Sequence, residues 1–132
     1  VSVMVALDPA TKENGCLRVL KGSNNLGRLD HQQSGSQLIT DPKRAAIALE
    51  QMEEVHCEMD AGSIMFFDGN ILHASAPNTS EQSRWSFVIS YVPASNLIVI
   101  PDPPDDLLTS IEPWPDDKVH AEAQRFWESL QE

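Results

Sequence analysis

The residues with the clearest capacity for chemistry lie between Leu72 and Phe87. His73 and Arg84 are eleven positions apart, each in a strand-like run, and the polar segment 76–83 separates the two runs. Imidazole is a common metal ligand, and a planar guanidinium pairs with a carboxylate through two parallel hydrogen bonds. The pair therefore suits a site where a diacid chelates a metal at one end and meets the arginine at the other.

Strand periodicity predicts where these side chains point. Because side chains alternate across a strand, His73 and Ser75 should share one face, as should Arg84 and Ser86. If segment 76–83 closes a hairpin, Ser75 lies opposite Arg84, and His73, Ser75 and Arg84 converge on one cavity. No acid in the two strands shares this face, so an external carboxylate is a natural partner for the arginine. The alternative is an ordinary hairpin with an exposed arginine and a hydrogen-bonded histidine.

The other face of the second strand is predicted to be an outer packing surface, because it carries Trp85, Phe87, Ile89 and Tyr91.

The composition fits one globular domain. The chain has 132 residues, of which 41% are hydrophobic and 22% charged, close to ordinary usage. Its net charge of -11 argues against nucleic acid and anionic membranes as partners. Cys16 and Cys57 form no disulfide framework, so we expect free thiols and a cytoplasmic location. Val1 opens the chain inside an apolar alternation, which favours a piece of a longer domain.

Short alternating segments separated by Gly and Asn turns predict a mainly β chain. Residues 1–100 should supply the core strands, with a helix near 42–54 that starts at an Asp-Pro pair. Residues 101–132 should form a Pro/Asp-rich arm and a C-terminal helix. The Gly- and Ser-rich segment 21–40 is a candidate lid. This pattern is typical of a sandwich or jelly roll with two added helices.

Two segments are similar to the phytanoyl-CoA dioxygenase family. Residues 8–23 read DPATKENGCLRVLKGS and residues 60–80 read DAGSIMFFDGNILHASAPNTS. They stand in the family's order, and the resemblance spans roughly 1–96. It implies a double-stranded β-helix, a cupin-like jelly roll, with Fe(II) as the metal and 2-oxoglutarate as the co-substrate. It also implies that a small-molecule substrate is hydroxylated.

The resemblance also implies roles for single residues. His73 matches the distal iron ligand, Arg84 the arginine that binds the far carboxylate of 2-oxoglutarate, and Ser75 a serine bonded to that same carboxylate. The family's iron further needs a His-x-Asp pair, which normally precedes the strand that opens this chain and is absent here. The His-x-Glu at 56–58 lies in the wrong strand. We therefore expect the C-terminal part of an oxygenase domain, truncated, with an incomplete iron site and no turnover alone.

Two other classes stay open. One is a non-catalytic jelly-roll binding module that has lost iron and uses the arginine for an anion. The other is a cupin-like metalloenzyme with different chemistry. A His-x-Asp about fifteen residues upstream in the gene would favour the oxygenase, whereas an upstream stop codon would favour the binding module. The sequence carries no signal for the particular substrate or for the oligomeric state.

Overall fold

A computed structural model describes residues 1–35, 37–96 and 109–131. The chain divides into two compact units, Val1–Val92 and Pro93–Glu132. Within the described residues, the first unit contains eight strands, a short 3-10 helix at Ser23–Leu26 and one α-helix. Its other elements, in chain order, are β1 Ser2–Ala6, β2 Leu17–Leu20, β3 His31–Ser34, β4 Gln37–Thr40, α1 Pro42–Gln51, β5 Glu54–Cys57, β6 Ile64–Phe67, β7 His73–Ser75 and β8 Ser86–Ser90.

The strands form three small antiparallel sheets. The first has the order β6-β1-β8, the second β5-β2-β7, and the third is the hairpin β3-β4. The predicted mainly β fold with two helices is therefore confirmed, and one of the helices lies in the second unit. The sheets are separate rather than closed on one another in the described residues, so closure into a jelly-roll barrel is not shown.

The predicted hairpin between β7 and β8 is wrong. Strand β7 pairs with β2, so that Ser75 lies opposite Leu17, while β8 pairs with β1 in the other sheet. The segment 76–83 crosses between the sheets instead of turning back. The physical reason is that its polar groups are satisfied elsewhere: the amide and the hydroxyl of Thr79 both donate to the carbonyl oxygen of Glu13.

The buried core is centred on β1 and β2, the middle strands of the two larger sheets. On β1, Met4 and Ala6 are buried, whereas Val5 is only half-buried. The alternation in the sequence therefore corresponds to one inner and one outer face of β1, as expected for a half-buried strand. The outer face of this sheet is apolar but exposed, with Phe66, Trp85 and Phe87 at 69%, 70% and 57%. Among the described residues, the other buried hydrophobic residues are Ala10, Cys16, Leu17, Leu20 and Ala48.

Helix α1 begins as its sequence predicts and ends early. The Asp41 carboxylate accepts a hydrogen bond from the amide of Arg44, and Pro42 occupies the first turn, where a missing N–H costs nothing. The helix stops at Gln51 because Met52 is extended and β5 follows at once. In the second unit, α2 spans Asp116–Ser129. Residues 101–108 of the predicted Pro/Asp arm lie outside the described residues. In the ranges described, neither helix has the length and apolar composition to cross a bilayer.

Candidate functional site

His73 opens β7 with its imidazole fixed in one orientation. Its Nδ1 lies 2.8 Å from the carbonyl oxygen of Ile71. Because a carbonyl can only accept, Nδ1 carries the proton, and in the neutral ring the lone pair is left on Nε2. The ring also meets the ring of Phe67 edge-on at a centroid distance of 5.5 Å, which joins the two larger sheets. A histidine oriented through Nδ1–H in this way is prepared to bind a metal through Nε2.

In the part of the chain that is described, this histidine does not belong to a three-ligand metal group. Across those residues, no three His, Cys, Asp or Glu side chains are grouped so that they could hold a metal ion. The His-x-Glu pair in and just after β5 has other partners. His56 lies 3.9 Å from both the thiol of Cys16 and the carboxylate of Glu54, and Glu58 accepts the amide of Lys12 at 3.1 Å.

Arg84 is half-buried just before β8, and among the described residues its side chain is anchored at one atom. Its Nε donates to the carbonyl oxygen of Asn14 at 2.9 Å. No carboxylate among the described residues lies within ion-pair distance of its guanidinium. Since Nε is already engaged, the two terminal nitrogens form the fork that is left for an external carboxylate.

The structure brings some of the predicted site residues together and not others. His73 and Ser75 stand two positions apart on β7, and both line an open cleft. Arg84 does not line that cleft. It lies just before β8, a strand of the other sheet, and Ser75 faces Leu17 instead, so the predicted face-to-face pairing of Ser75 and Arg84 is absent. The connection is indirect: Arg84 bonds to Asn14, which precedes by three positions the Leu17 that Ser75 faces.

The cleft has a volume of about 950 Å³, at the upper end of the range of small-molecule sites. Its walls come from β2, β7, α1 and the segment 27–40, so the predicted lid segment does border it. Strand β7 is the last strand of its sheet in the described residues, which lets both of its faces line one cavity. The apolar lining includes Val19, Leu29, Leu38, Ile39 and Leu49, and the charged or titratable lining is Arg18, Arg28, His31, Glu54 and His73.

Asn14 is a central residue of the site that the sequence interpretation missed. It is 0% exposed, and its side chain bonds to two backbone groups of its own turn. Its Nδ2 donates to the carbonyl oxygen of Pro9 at 2.8 Å, and its Oδ1 accepts the amide of Thr11 at 2.8 Å. These bonds fix the carbonyl that holds Arg84. The signal is Thr11 and Asn14 three positions apart, a spacing typical of side-chain-stabilised turns.

Residues 8–15, here called the 8–15 turn, hold the crossing segment at several points. Gly15 has φ +81° and packs so closely on the backbone of Ala76 that a Cβ would collide with its carbonyl oxygen. Further along, Oδ2 of Asp8 accepts the Ser83 hydroxyl at 2.7 Å and the Trp85 amide at 2.9 Å. These two hydrogen bonds lower the pKa of the Asp8 carboxyl below its usual value, and the bond from the Trp85 amide contributes more than the bond from the Ser83 hydroxyl.

The two free thiols lie near this region and are kept neutral. Burial raises the pKa of the Cys16 thiol, with smaller contributions from Glu58 and Cys57, while Arg84 acts in the opposite direction. Burial also raises the pKa of Cys57. A raised pKa lowers the thiolate population that reactivity and metal binding require. Neither cysteine is therefore built as a nucleophile.

These features define a mainly β domain with an open cleft beside His73, and comparison with known proteins identifies the family. The chain belongs to the phytanoyl-CoA dioxygenase family, because the family model described as Phytanoyl-CoA dioxygenase (PhyH) matches residues 1–86. The matched range is the N-terminal region of this chain and contains His73, Ser75 and Arg84. It lends no support to the expectation that the chain is the C-terminal part of the family's domain.

Curated relatives are named as dioxygenases or as proteins that contain a phytanoyl-CoA dioxygenase domain. A phytanoyl-CoA dioxygenase domain-containing protein 1 homolog of Dictyostelium discoideum is 30% identical over 123 residues, which cover 86% of this chain and 41% of that protein. The phytanoyl-CoA dioxygenase of Arabidopsis thaliana is 33% identical over 88 residues, with 67% and 31% covered. A 2-aminoethylphosphonate dioxygenase from an uncultured bacterium is 31% identical over 91 residues, with 69% and 32% covered. The aligned part of the chain thus spans well under half the length of these relatives, and their names support an oxygenase-type enzyme at the level of the family.

Proposed function

We propose that this chain is part of an Fe(II)- and 2-oxoglutarate-dependent hydroxylase, with Arg84 and Ser75 binding the co-substrate and His73 binding the iron. The observation that carries the proposal is the state of the Arg84 guanidinium. It is half-buried and tied at Nε to a backbone carbonyl, and its terminal fork meets no carboxylate in the described part of the chain. Such a group is best explained by a carboxylate ligand that the protein itself does not supply.

Among the described residues, His73 can supply one of the ligands that iron needs. The free Nε2 of His73 is the donor that Fe(II) takes from histidine, and the bond from Nδ1 to Ile71 is the outer-shell support that such ligands usually have. The family's two further ligands, a histidine and a carboxylate, would have to come from residues other than those described. When bound, Fe(II) supplies the dioxygen chemistry that couples decarboxylation of 2-oxoglutarate to hydroxylation of the substrate.

The chain's own residues then act by binding and orientation. The terminal nitrogens of Arg84 hold the far carboxylate of 2-oxoglutarate through two parallel bonds, and the hydroxyl of Ser75 donates to the same carboxylate. The keto-acid end of the co-substrate is thereby directed toward His73. The cleft beside His73 is proposed to admit a small-molecule substrate. The names of the relatives point to different compounds, so the particular substrate is left open.

The jelly-roll architecture is part of the proposal. Strands β1, β6 and β8 belong to one sheet and β2, β5 and β7 to the other, so the chain passes repeatedly from sheet to sheet. That alternation is typical of a double-stranded β-helix. The contact between Phe67 and His73 supports the two sheets facing each other. The free thiols of Cys16 and Cys57 support the cytoplasmic location that we propose.

The test of function uses the complete protein and two matched pairs of variants. His73→Ala should abolish binding of Fe(II) under anaerobic conditions, whereas His120→Ala, on α2 and outside the family match, should retain it. Arg84→Ala should raise the Kd for 2-oxoglutarate by roughly ten- to a hundredfold, the loss expected for a charge-assisted contact. Arg125→Ala, which removes an exposed arginine paired with Glu122, should leave that Kd unchanged.

The outcomes separate the candidate functions. Succinate release that depends on 2-oxoglutarate and is lost in His73→Ala would establish the oxygenase. Full iron occupancy in His73→Ala would contradict the role of His73. If wild-type protein binds an anion through Arg84 but takes up no Fe(II), the oxygenase proposal fails and the chain belongs to a non-catalytic binding module.

A further inference from the structure

Arg84 is restrained through its two neighbours in the sequence. Oδ2 of Asp8 accepts the hydroxyl of Ser83 at 2.7 Å and the backbone amide of Trp85 at 2.9 Å. One carboxylate oxygen therefore holds the residue before the arginine and the residue after it. This bridge joins the 8–15 turn to the start of β8, and it fixes the backbone from which the Arg84 side chain leaves.

The same turn restrains the other end of the arginine. The carbonyl of Asn14 accepts Nε–H of Arg84 at 2.9 Å, and the buried Asn14 side chain is itself bonded to Thr11 and Pro9. The 8–15 turn therefore holds both the backbone beside Arg84 and its guanidinium by hydrogen bonds. With Nε engaged by Asn14, the edge formed by the two terminal nitrogens is the bidentate edge left for a carboxylate.

The charge of Asp8 has no other evident partner. In the described residues it forms no ion pair, although it is only half-buried. Its two hydrogen bonds lead to groups that flank Arg84, and neither reaches the arginine itself. Asp8 is therefore placed to act on Arg84 through the backbone and not through direct charge pairing.

We propose that Asp8 and Asn14 are positioning residues, which hold Arg84 in its ligand-binding conformation before 2-oxoglutarate arrives. The inference rests on the proposed function, because it names what orients the co-substrate arginine. A long side chain that is ordered in advance loses less freedom when its ligand binds. Releasing Asp8 should therefore weaken 2-oxoglutarate binding even though Asp8 does not touch the ligand.

The variants separate the acceptor oxygen from the charge. Asp8→Ala in the complete protein removes the acceptor and should raise the Kd for 2-oxoglutarate roughly three- to tenfold. Asp8→Asn keeps one carbonyl oxygen that can accept both bonds, so it should rescue most of the affinity. Asp41→Ala is the matched control, because Asp41 also accepts a backbone amide, that of Arg44, but at the start of α1.

A double-mutant cycle separates positioning from general destabilisation. If Asp8 acts through Arg84, then Asp8→Ala should cause no further loss of affinity once Arg84→Ala is present. A merely structural role would give the same added loss in both backgrounds, and that result would overturn the proposal. Wild-type affinity in Asp8→Ala itself would overturn it as well.

A second measurement needs no co-substrate. Hydrogen exchange by NMR reports on the Trp85 amide and on Nε–H of Arg84, and both should be protected in wild type. Asp8→Ala should expose the Trp85 amide and speed exchange at Arg84, whereas Asp8→Asn and Asp41→Ala should not. Unchanged exchange at Arg84 would refute the positioning role whatever binds there. If instead wild type fails to bind 2-oxoglutarate but exchange changes as expected, the proposed function fails and the positioning of Arg84 stands.

Discussion

Replacement of Gly15 by alanine is the sharpest test of how the two family segments fit together. Gly15 has φ +81°, a region in which L residues are strained. An added Cβ would collide with the carbonyl oxygen of Ala76, and would lie 3.1 Å from the Ala76 carbonyl carbon and 3.2 Å from the Pro77 carbonyl oxygen. These are backbone atoms, so no side-chain rotation relieves the contact and the crossing segment itself must move.

The expected cost has two parts. The left-handed conformation costs an alanine roughly 1–2 kcal/mol, of which about 0.4–1 kcal/mol is offset by the lower entropy of the unfolded chain. Moving the segment at Ala76 also breaks the two bonds from Thr79 to the Glu13 carbonyl, each worth about 0.5–1.5 kcal/mol. Together these give a loss of about 2–4 kcal/mol in the free energy of unfolding, a large fraction of the total for a domain of this size.

Gly62→Ala is the matched control. Gly62 has nearly the same backbone angle, φ +84°, but nothing lies within 4 Å of the position of its Cβ. It should therefore show the strain alone, about 1 kcal/mol. Urea unfolding of the 132-residue chain, followed by tryptophan fluorescence, gives both values if the slope m stays constant. A Gly15→Ala loss within about 0.5 kcal/mol of the Gly62→Ala loss would refute the close packing of the 8–15 turn on the crossing segment.

Three further predictions follow from the same contacts. Arg84→Lys keeps the charge but loses both the fork and the Nε donor, so calorimetry should show a Kd for 2-oxoglutarate about tenfold higher; wild-type affinity would contradict a bidentate contact. Burial raises the pKa of Cys16, so iodoacetamide should alkylate it more slowly than in urea at pH 8. Its contribution to stability should be present below the unfolded value of 9.0 and should be lost as the pH rises from there through the raised folded value. The hydrogen bonds from Trp85 and Ser83 lower the pKa of Asp8, so its contribution is present above the unfolded value of 3.8 and is lost as the pH falls through the lower folded value. NMR titration of Asp8 checks that direction, and a midpoint at or above 3.8 would contradict it.

The strands could be predicted from the sequence because alternation reports directly on the two faces of a strand. On β1, Met4 and Ala6 are buried and Val5 is half-buried, as the pattern indicates. Pairing could not be predicted in this way. Whether β7 pairs with β8 or with β2 depends on the course of segment 76–83, and that course is set by bonds to Glu13 and Asp8, far away in the sequence.

The candidate site divides along the same line. The shared strand of His73 and Ser75 follows from their spacing alone. The anchor of Arg84 could not be predicted from the sequence. It is the backbone carbonyl of Asn14, and every residue type has such a carbonyl. Only the three-dimensional path of the 8–15 turn reveals it. Alternation in the sequence likewise predicts the apolar outer face of the first sheet, but it does not predict that this face is exposed.

The topology explains why the 8–15 turn matters to both halves of the proposed site. The turn connects β1, the middle strand of the sheet that contains β8, to β2, the middle strand of the sheet that contains β7. Segment 76–83 makes a second connection between the same two sheets. Hydrogen bonds from Thr79 to Glu13 and from Trp85 to Asp8 lay these two connections side by side. The separation between a ligand on β7 and the arginine before β8 is therefore set by contacts between neighbouring backbone segments, so a variant that loosens them should change co-substrate affinity while leaving the Nδ1 bond of His73 intact.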